Sequence, residues 1–180
     1  MTLFYERILR LDLVLACNAA SSAALGQCTT AVAGGTISGQ RWTLARSPYC
    51  VEGDLLINNL TIDPGVTVAF TGNFKLEVAG ILTAVGTSTS PIVFTTSAEN
   101  QRGWQCLFFN QSLPGSQFAH FVVEKATGSG IEINRREMTL RDCVIRNNSR
   151  PGGIVGGAGI SSEMGICLTQ VTPTHSMRGW

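Results

Sequence analysis

The 180-residue chain is poor in charge: Asp, Glu, Lys and Arg make up 14% of it and leave a formal net charge of +1. Such a balance carries no broad electrostatic field, which excludes a protein that works by blanketing nucleic acid or an acidic surface. Aromatic residues are only 7% of the chain. No apolar run reaches the roughly 18 residues that a membrane-spanning helix needs. The six cysteines, Cys17, Cys28, Cys50, Cys106, Cys143 and Cys167, form no CxxC pair, which argues against a zinc site, and no other metal or cofactor motif is present. Histidine occurs twice, as His120 and His175, and neither supports a Ser-His-Asp arrangement.

Two further absences concern the backbone. Asn-Gly and Asp-Gly pairs, the turns of an up-and-down antiparallel sheet, do not occur. Nor do the amphipathic helices that join parallel strands in βαβ folds.

What the chain does have is glycine, 20 residues of it, and short runs of β-branched and apolar residues at alternate positions. Period-2 alternation reads as strands at Leu60–Ile62, Val66–Phe70, Phe74–Leu82, Ile92–Phe94, Leu107–Phe109, Phe118–Val123, Ile131–Ile133, Leu140–Ile145 and Ile166–Val171. These runs repeat. Phe118, Phe121 and Val123 recur as Leu140, Cys143 and Ile145, and again as Ile166, Thr169 and Val171 after a slightly longer interval. Glycine-led strands starting at Gly103, Gly128 and Gly152 keep the same beat. A strand, a bend and another strand, repeated at a nearly constant interval, describe one coil of a parallel β-solenoid. One coil cannot bury its own inner face, but stacked coils share a continuous core. Leu76, Val78, Leu82, Phe94, Phe109, Ile131, Ile133, Leu140 and Ile145 are expected to point into it.

One ordered set of phrases is specific: Trp42, Ser47-Pro48-Tyr49, Gly53-Asp54-Leu55, Leu60–Val68, Leu76–Thr87, Pro91–Thr95 and Gly103-Trp104. In that order they closely resemble the opening of right-handed parallel β-helix proteins of the pectin-lyase-like superfamily. The resemblance spans about residues 30–172. It implies an all-β, right-handed parallel β-helix of about five to six coils, and it does not imply any one activity, because the phrases occur in secreted and surface proteins of very different roles. Cys50 and Cys106 depart from the pattern, which usually has a β-branched residue and a Gly there.

The ends divide the chain into three expected parts. Residues 1–29 read as an export signal, with Arg7 and Arg10 ahead of an apolar stretch, or as a capping helix with Phe4, Ile8, Leu11 and Leu15 on one side. A lipoprotein signal ending at Cys17 is a poorer match, because Leu15 stands where a small residue is usual. Residues 30–172 read as the β-helix, and residues 173–180 as a frayed tail or truncation point. Further coils, or a partner, are expected to cover the last coil, because an open solenoid end leaves backbone unpaired.

Enzymes of the resembled superfamily cleave polysaccharides with clustered Asp residues, or with Asp-held calcium and an Arg or Lys base. The candidate acids for that role are Glu124, Glu132, Glu137, Asp142 and Glu163, and their spacing puts no two at matching positions on adjacent coils. Arg135, Arg136, Arg141, Arg146 and Arg150 cluster and form a candidate patch for an acidic glycan, set against the plainer reading of a solvated charged face. Cys143 and Cys167, separated by close to one coil, are expected to be buried thiols, with a disulfide between stacked coils as the alternative. Asn58-Asn59 and Asn147-Asn148 are expected at turns. Asn59, Asn110 and Asn147 also head formal glycosylation sequons. The resulting expectation is a non-catalytic secreted or cell-surface module with a structural, adhesive or glycan-contacting role. The alternative is a truncated or diverged polysaccharide lyase or glycoside hydrolase.

Overall fold

A computed structural model describes residues 28–110, 113–134, 138–149, 160–162 and 166–168. The elements run β1 (Thr30–Val32), β2 (Gly35–Ile37), β3 (Gln40–Trp42), a 3-10 turn at Leu44–Arg46, β4 (Tyr49–Val51) and β5 (Leu55–Ile62). Then come β6 (Thr67–Phe70), β7 (Leu76–Val85), β8 (Ile92–Thr96), β9 (Leu107–Asn110) and β10 (Gln117–Glu124). The last are β11 (Ile131–Asn134), β12 (Met138–Arg146), β13 (Ile160–Ser162) and β14 (Ile166–Leu168). Every described strand pairing is parallel. No helix among the described residues is long and apolar enough to cross a membrane.

The strands stack on three faces. β1, β4, β6, β8 and the second halves of β10 and β12 form the first. β2, the first halves of β5 and β7, β9, β11 and β13 form the second. β3, the second halves of β5 and β7, the first halves of β10 and β12, and β14 form the third. The chain visits the faces in turn and closes about five turns of a parallel β-solenoid. Each strand finds its partner one coil later, so no hairpin is needed.

Inward positions stack in columns. On the second face Leu55, Leu76, Leu107 and Ile131 lie in register, each 1% exposed or less. At roughly 1.5–3 kcal/mol per fully buried aliphatic side chain, such columns dominate the stability of the stack. Eight of the nine expected core residues are buried, and Ile145 packs half-buried against the same core. Corners use the few residues that bend sharply. Pro64 and Gly65 form a tight turn in which Val66 N–H donates to Asp63 O at 3.3 Å and Gly65 has φ +79°, the left-handed geometry of a type II turn. A methyl group on Gly80 would sit 2.0 Å from the carbonyl oxygen of Asn58, so β7 passes the bend of β5 only because Gly80 lacks a side chain.

Several expectations change in detail. The four strands before Leu55 have three residues each, too few for alternation to show. The repeat of Phe118 as Leu140 holds residue for residue, but Leu140 stands opposite Leu168 rather than Ile166. A slip of two keeps the same side chains on the same face, which is why alternation could not detect it. Cys143 lies on the first face opposite Phe121, whereas Cys167 lies on the third opposite Thr139, so the two do not stack. Cys143 is a free, buried thiol, and among the described residues a disulfide joins Cys28 to Cys50, with Cα atoms 5.5 Å apart. Asn58 and Asn59 lie inside β5, where the register shifts, while Asn147 does occupy a corner, with φ +53°. Residues 1–27 and the tail after residue 168, with the expectations for them, lie outside the described residues.

Candidate binding surface

The outer surface is laced by hydrogen bonds that run from coil to coil. On the first face Glu124 accepts from Thr95 Oγ1 at 3.1 Å and from Arg146 Nε at 2.8 Å, so one carboxylate ties three coils. On the second face Glu77 accepts from Lys75 Nζ at 2.8 Å and from Asn110 Nδ2 at 2.9 Å, and Asn134 Nδ2 reaches Asn110 Oδ1 at 3.5 Å. The Lys75 ammonium and then the Asn110 amide hold the Glu77 carboxyl below the usual glutamate range, and the Glu77 hydrogen bond raises Lys75. Asp63 pairs with Arg41 at 2.8 Å, and Asp142 stands 3.6 Å from His120. His120 and Asp142 occupy equivalent corners on adjacent coils, with φ +49° and +48°.

Glu77 and Glu132 share one outward column of the second face, two coils apart, with Phe108 between them. A search for acids at matching positions on adjacent coils passes over Glu77, because its counterpart is two coils away. At roughly 4.8 Å per coil their backbones are about 10 Å apart, near the spacing of inverting glycosidases. Glu77, however, is already held by two partners that favour its ionised form, and Glu132 lies beside the buried Cys106 thiol. Burial first, and then Glu132, push the Cys106 thiol up to about 12. Burial likewise raises Cys143 to about 11, so neither sulfur is a nucleophile near neutrality. Among the described residues no group of three or more His, Cys, Asp and Glu gathers as a metal site would require.

Of the five arginines in the expected patch, Arg141 and Arg146 are described. Arg141 is exposed on the third face, in register with Ala119, while Arg146 ends the first face and is bound to Glu124. The two stand on different faces. Arg135, Arg136 and Arg150 lie outside the described residues, as do Glu137 and Glu163.

A concave surface arises where the coil is longest. On the first face Tyr49 pairs with Val68, Val68 with Phe94, and Phe94 with Val123, so the chain between partners lengthens at each step. The longest connection of that coil lies between β8 and β9. Trp104 anchors that loop: its ring stacks on Phe70 at 4.2 Å, and its indole N–H donates to Glu124 O at 2.9 Å. Asn100 braces it further, donating to Phe70 O and Gly103 O. Against the loop lie the corners Lys125–Thr127 and Asn147–Ser149 of the next two coils, enclosing a polar groove of about 300 Å³. A second hollow, of about 480 Å³, lies at the first coil beside the stacked Trp42 and Tyr49 rings. The Gly103-Trp104 phrase is visible in the sequence but the groove is not, because Arg102 and Lys125 are separated by whole strands and meet only when the coil closes.

No protein-family model matches the chain, and no solved structure does. Over 57 residues, 30% of this chain, the sequence is 40% identical to Protein bark beetle of Drosophila melanogaster. The matched stretch is 2% of that protein's length.

Proposed function

We propose that the chain is a non-catalytic β-solenoid module of a secreted or cell-surface protein, with a structural, adhesive or glycan-contacting role. On this reading it is a right-handed helix of the pectin-lyase-like kind. The observation that carries the proposal is the fate of the outward carboxylates. Glu77, Glu124, Asp63 and Asp142 each face a neighbouring coil's side chain, so they stiffen the stack rather than converge on a point in solvent. Glycosidic cleavage needs two converging carboxylates or a metal-braced one with a positioned base.

Two further features support the reading. The Cys28–Cys50 disulfide suits an oxidising, extracytoplasmic compartment. The likeness to a small fraction of a far longer protein suits a module that builds up larger chains.

The test is an assay for reducing ends and unsaturated products on pectin, alginate and related polysaccharides. No turnover is expected. Product formation that disappears in Glu132→Gln or Asp142→Asn would overturn the proposal.

A further inference from the structure

We infer that the groove between the Trp104-anchored loop and the corners of the next two coils is a binding site for an acidic saccharide, one carrying a carboxylate or sulfate group. The inference rests on the glycan-contacting reading and gives it a place and a ligand chemistry. The groove contains two cations and no carboxylate: Arg102 comes from the loop and Lys125 from the corner of the following coil. Both are exposed, and neither has an ion-pair partner among the described residues. Some of the outer charges elsewhere are matched. Arg41, Lys75 and Arg146 each sit 2.8 Å from an acid, whereas Arg102 and Lys125, like Arg46 and Arg141, do not; what sets Arg102 and Lys125 apart is that they line this one groove together.

The nearest acids do not cancel them. Glu124, next to Lys125, is taken by Arg146 and Thr95, and Glu99 of the same loop is exposed and does not line the groove. Around the cations stand Thr96, Ser97, Asn147 and Ser149, short hydroxyl and amide side chains suited to a ligand rich in hydroxyl groups. About 300 Å³ is at the small end of ligand sites and admits a short saccharide rather than a bulky partner.

The walls are preset. Lys125 and Asn147 both take left-handed backbone, φ +60° and +53°, and are joined by Lys125 N–H donating to Asn147 O at 3.2 Å. Thr127 N–H donates to Trp104 O at 2.6 Å, clamping corner to loop. A site whose backbone is already fixed loses little binding energy to ordering.

Binding of trigalacturonate, a sulfated disaccharide, neutral galactobiose and sodium sulfate to the full chain tests this by calorimetry. Variants Arg102→Gln and Lys125→Asn remove the charges, and Asn tolerates the left-handed corner. Arg46→Gln, an exposed cation that does not line the groove, is the control. The expected result is binding of one or both acidic saccharides, weakened about tenfold by either groove variant, corresponding to one lost charge-assisted contact. Arg46→Gln should leave it unchanged, and raising salt should weaken it. Whichever acidic probe binds identifies the acidic group.

Acidic-saccharide binding that survives both groove variants would overturn the inference and leave the glycan reading standing. So would binding of galactobiose alone. Sodium sulfate competing as well as the saccharides would reduce the groove to an anion site and overturn its assignment to sugars. No binding of any saccharide would overturn the groove, and adhesion of the immobilised chain to cells would then show whether an adhesive role remains.

Discussion

Asn110 donates its side-chain amide to the Glu77 carboxylate at 2.9 Å, although the two are far apart in the chain. The bond crosses from one coil to the next on the outer surface. With Lys75 on its other side, Glu77 is a carboxylate whose ionised form is favoured by folding.

That preference fixes a sign. A folded-state value below the unfolded one adds stability above the ordinary glutamate range, and the addition is lost as pH falls through the lowered folded value. Glu77→Gln should therefore reduce urea stability at neutral pH and flatten its decline in acid. Parallel curves for the variant and the parent from neutral into acid would show that the ladder makes no such contribution.

Leu140 is fully buried, and Arg141 beside it is exposed. Leu140→Ala should cost about 2–5 kcal/mol, through lost burial and a residual cavity in the shared column. Arg141→Ala should cost less than about 1 kcal/mol. Chemical denaturation of the two variants checks the inward register, and similar costs would contradict it.

The Cys28–Cys50 bond closes a loop with a sequence separation of 22. It ties the residues before β1 to β4 and so secures the first described coil to the second. Loop-closure entropy assigns it about 3 kcal/mol. Cys28→Ser should lower the denaturation midpoint, with amide exchange rising first in β1. An unchanged midpoint, and unchanged exchange after reduction, would show that the coil holds without the bond.

Gly80 lies against the backbone of Asn58 with no room for a methyl group. Gly80→Ala forces β5 and β7 apart at their bend and should cost about 1–3 kcal/mol, as overpacking does. Gly39, whose added Cβ would meet no atom within 4 Å but whose φ is +66°, offers a contrast. Gly39→Asn should be tolerated, since Asn accepts left-handed backbone. Thermal melts of both variants test whether contact or conformation is the constraint.

The parallel solenoid is legible before any strand is placed. The absence of hairpin dipeptides and crossover helices leaves few ways to pair so many short strands. The repeat of Phe118, Phe121 and Val123 as Leu140, Cys143 and Ile145 then supplies the coil, and the structure pairs those residues one for one. Alternation also separates inside from outside, because successive side chains on a strand must point opposite ways.

Alternation does not say which residue lies above which, since any shift by an even number leaves every face unchanged. That is decided by how much chain each corner absorbs: Thr30 meets Tyr49 through a short coil, but Phe94 meets Val123 only through a much longer one. Hence Leu168 rather than Ile166 stands opposite Leu140, and Cys28 comes within disulfide reach of Cys50. The same coil lengths bring Glu77 under Asn110, bind Arg146 to Glu124, and set Arg102 and Lys125 across one groove. The apolar pattern specifies a stack because burial depends only on which side a residue faces. The polar contacts depend on distances across coils, and those exist only once each coil has closed on the one before it.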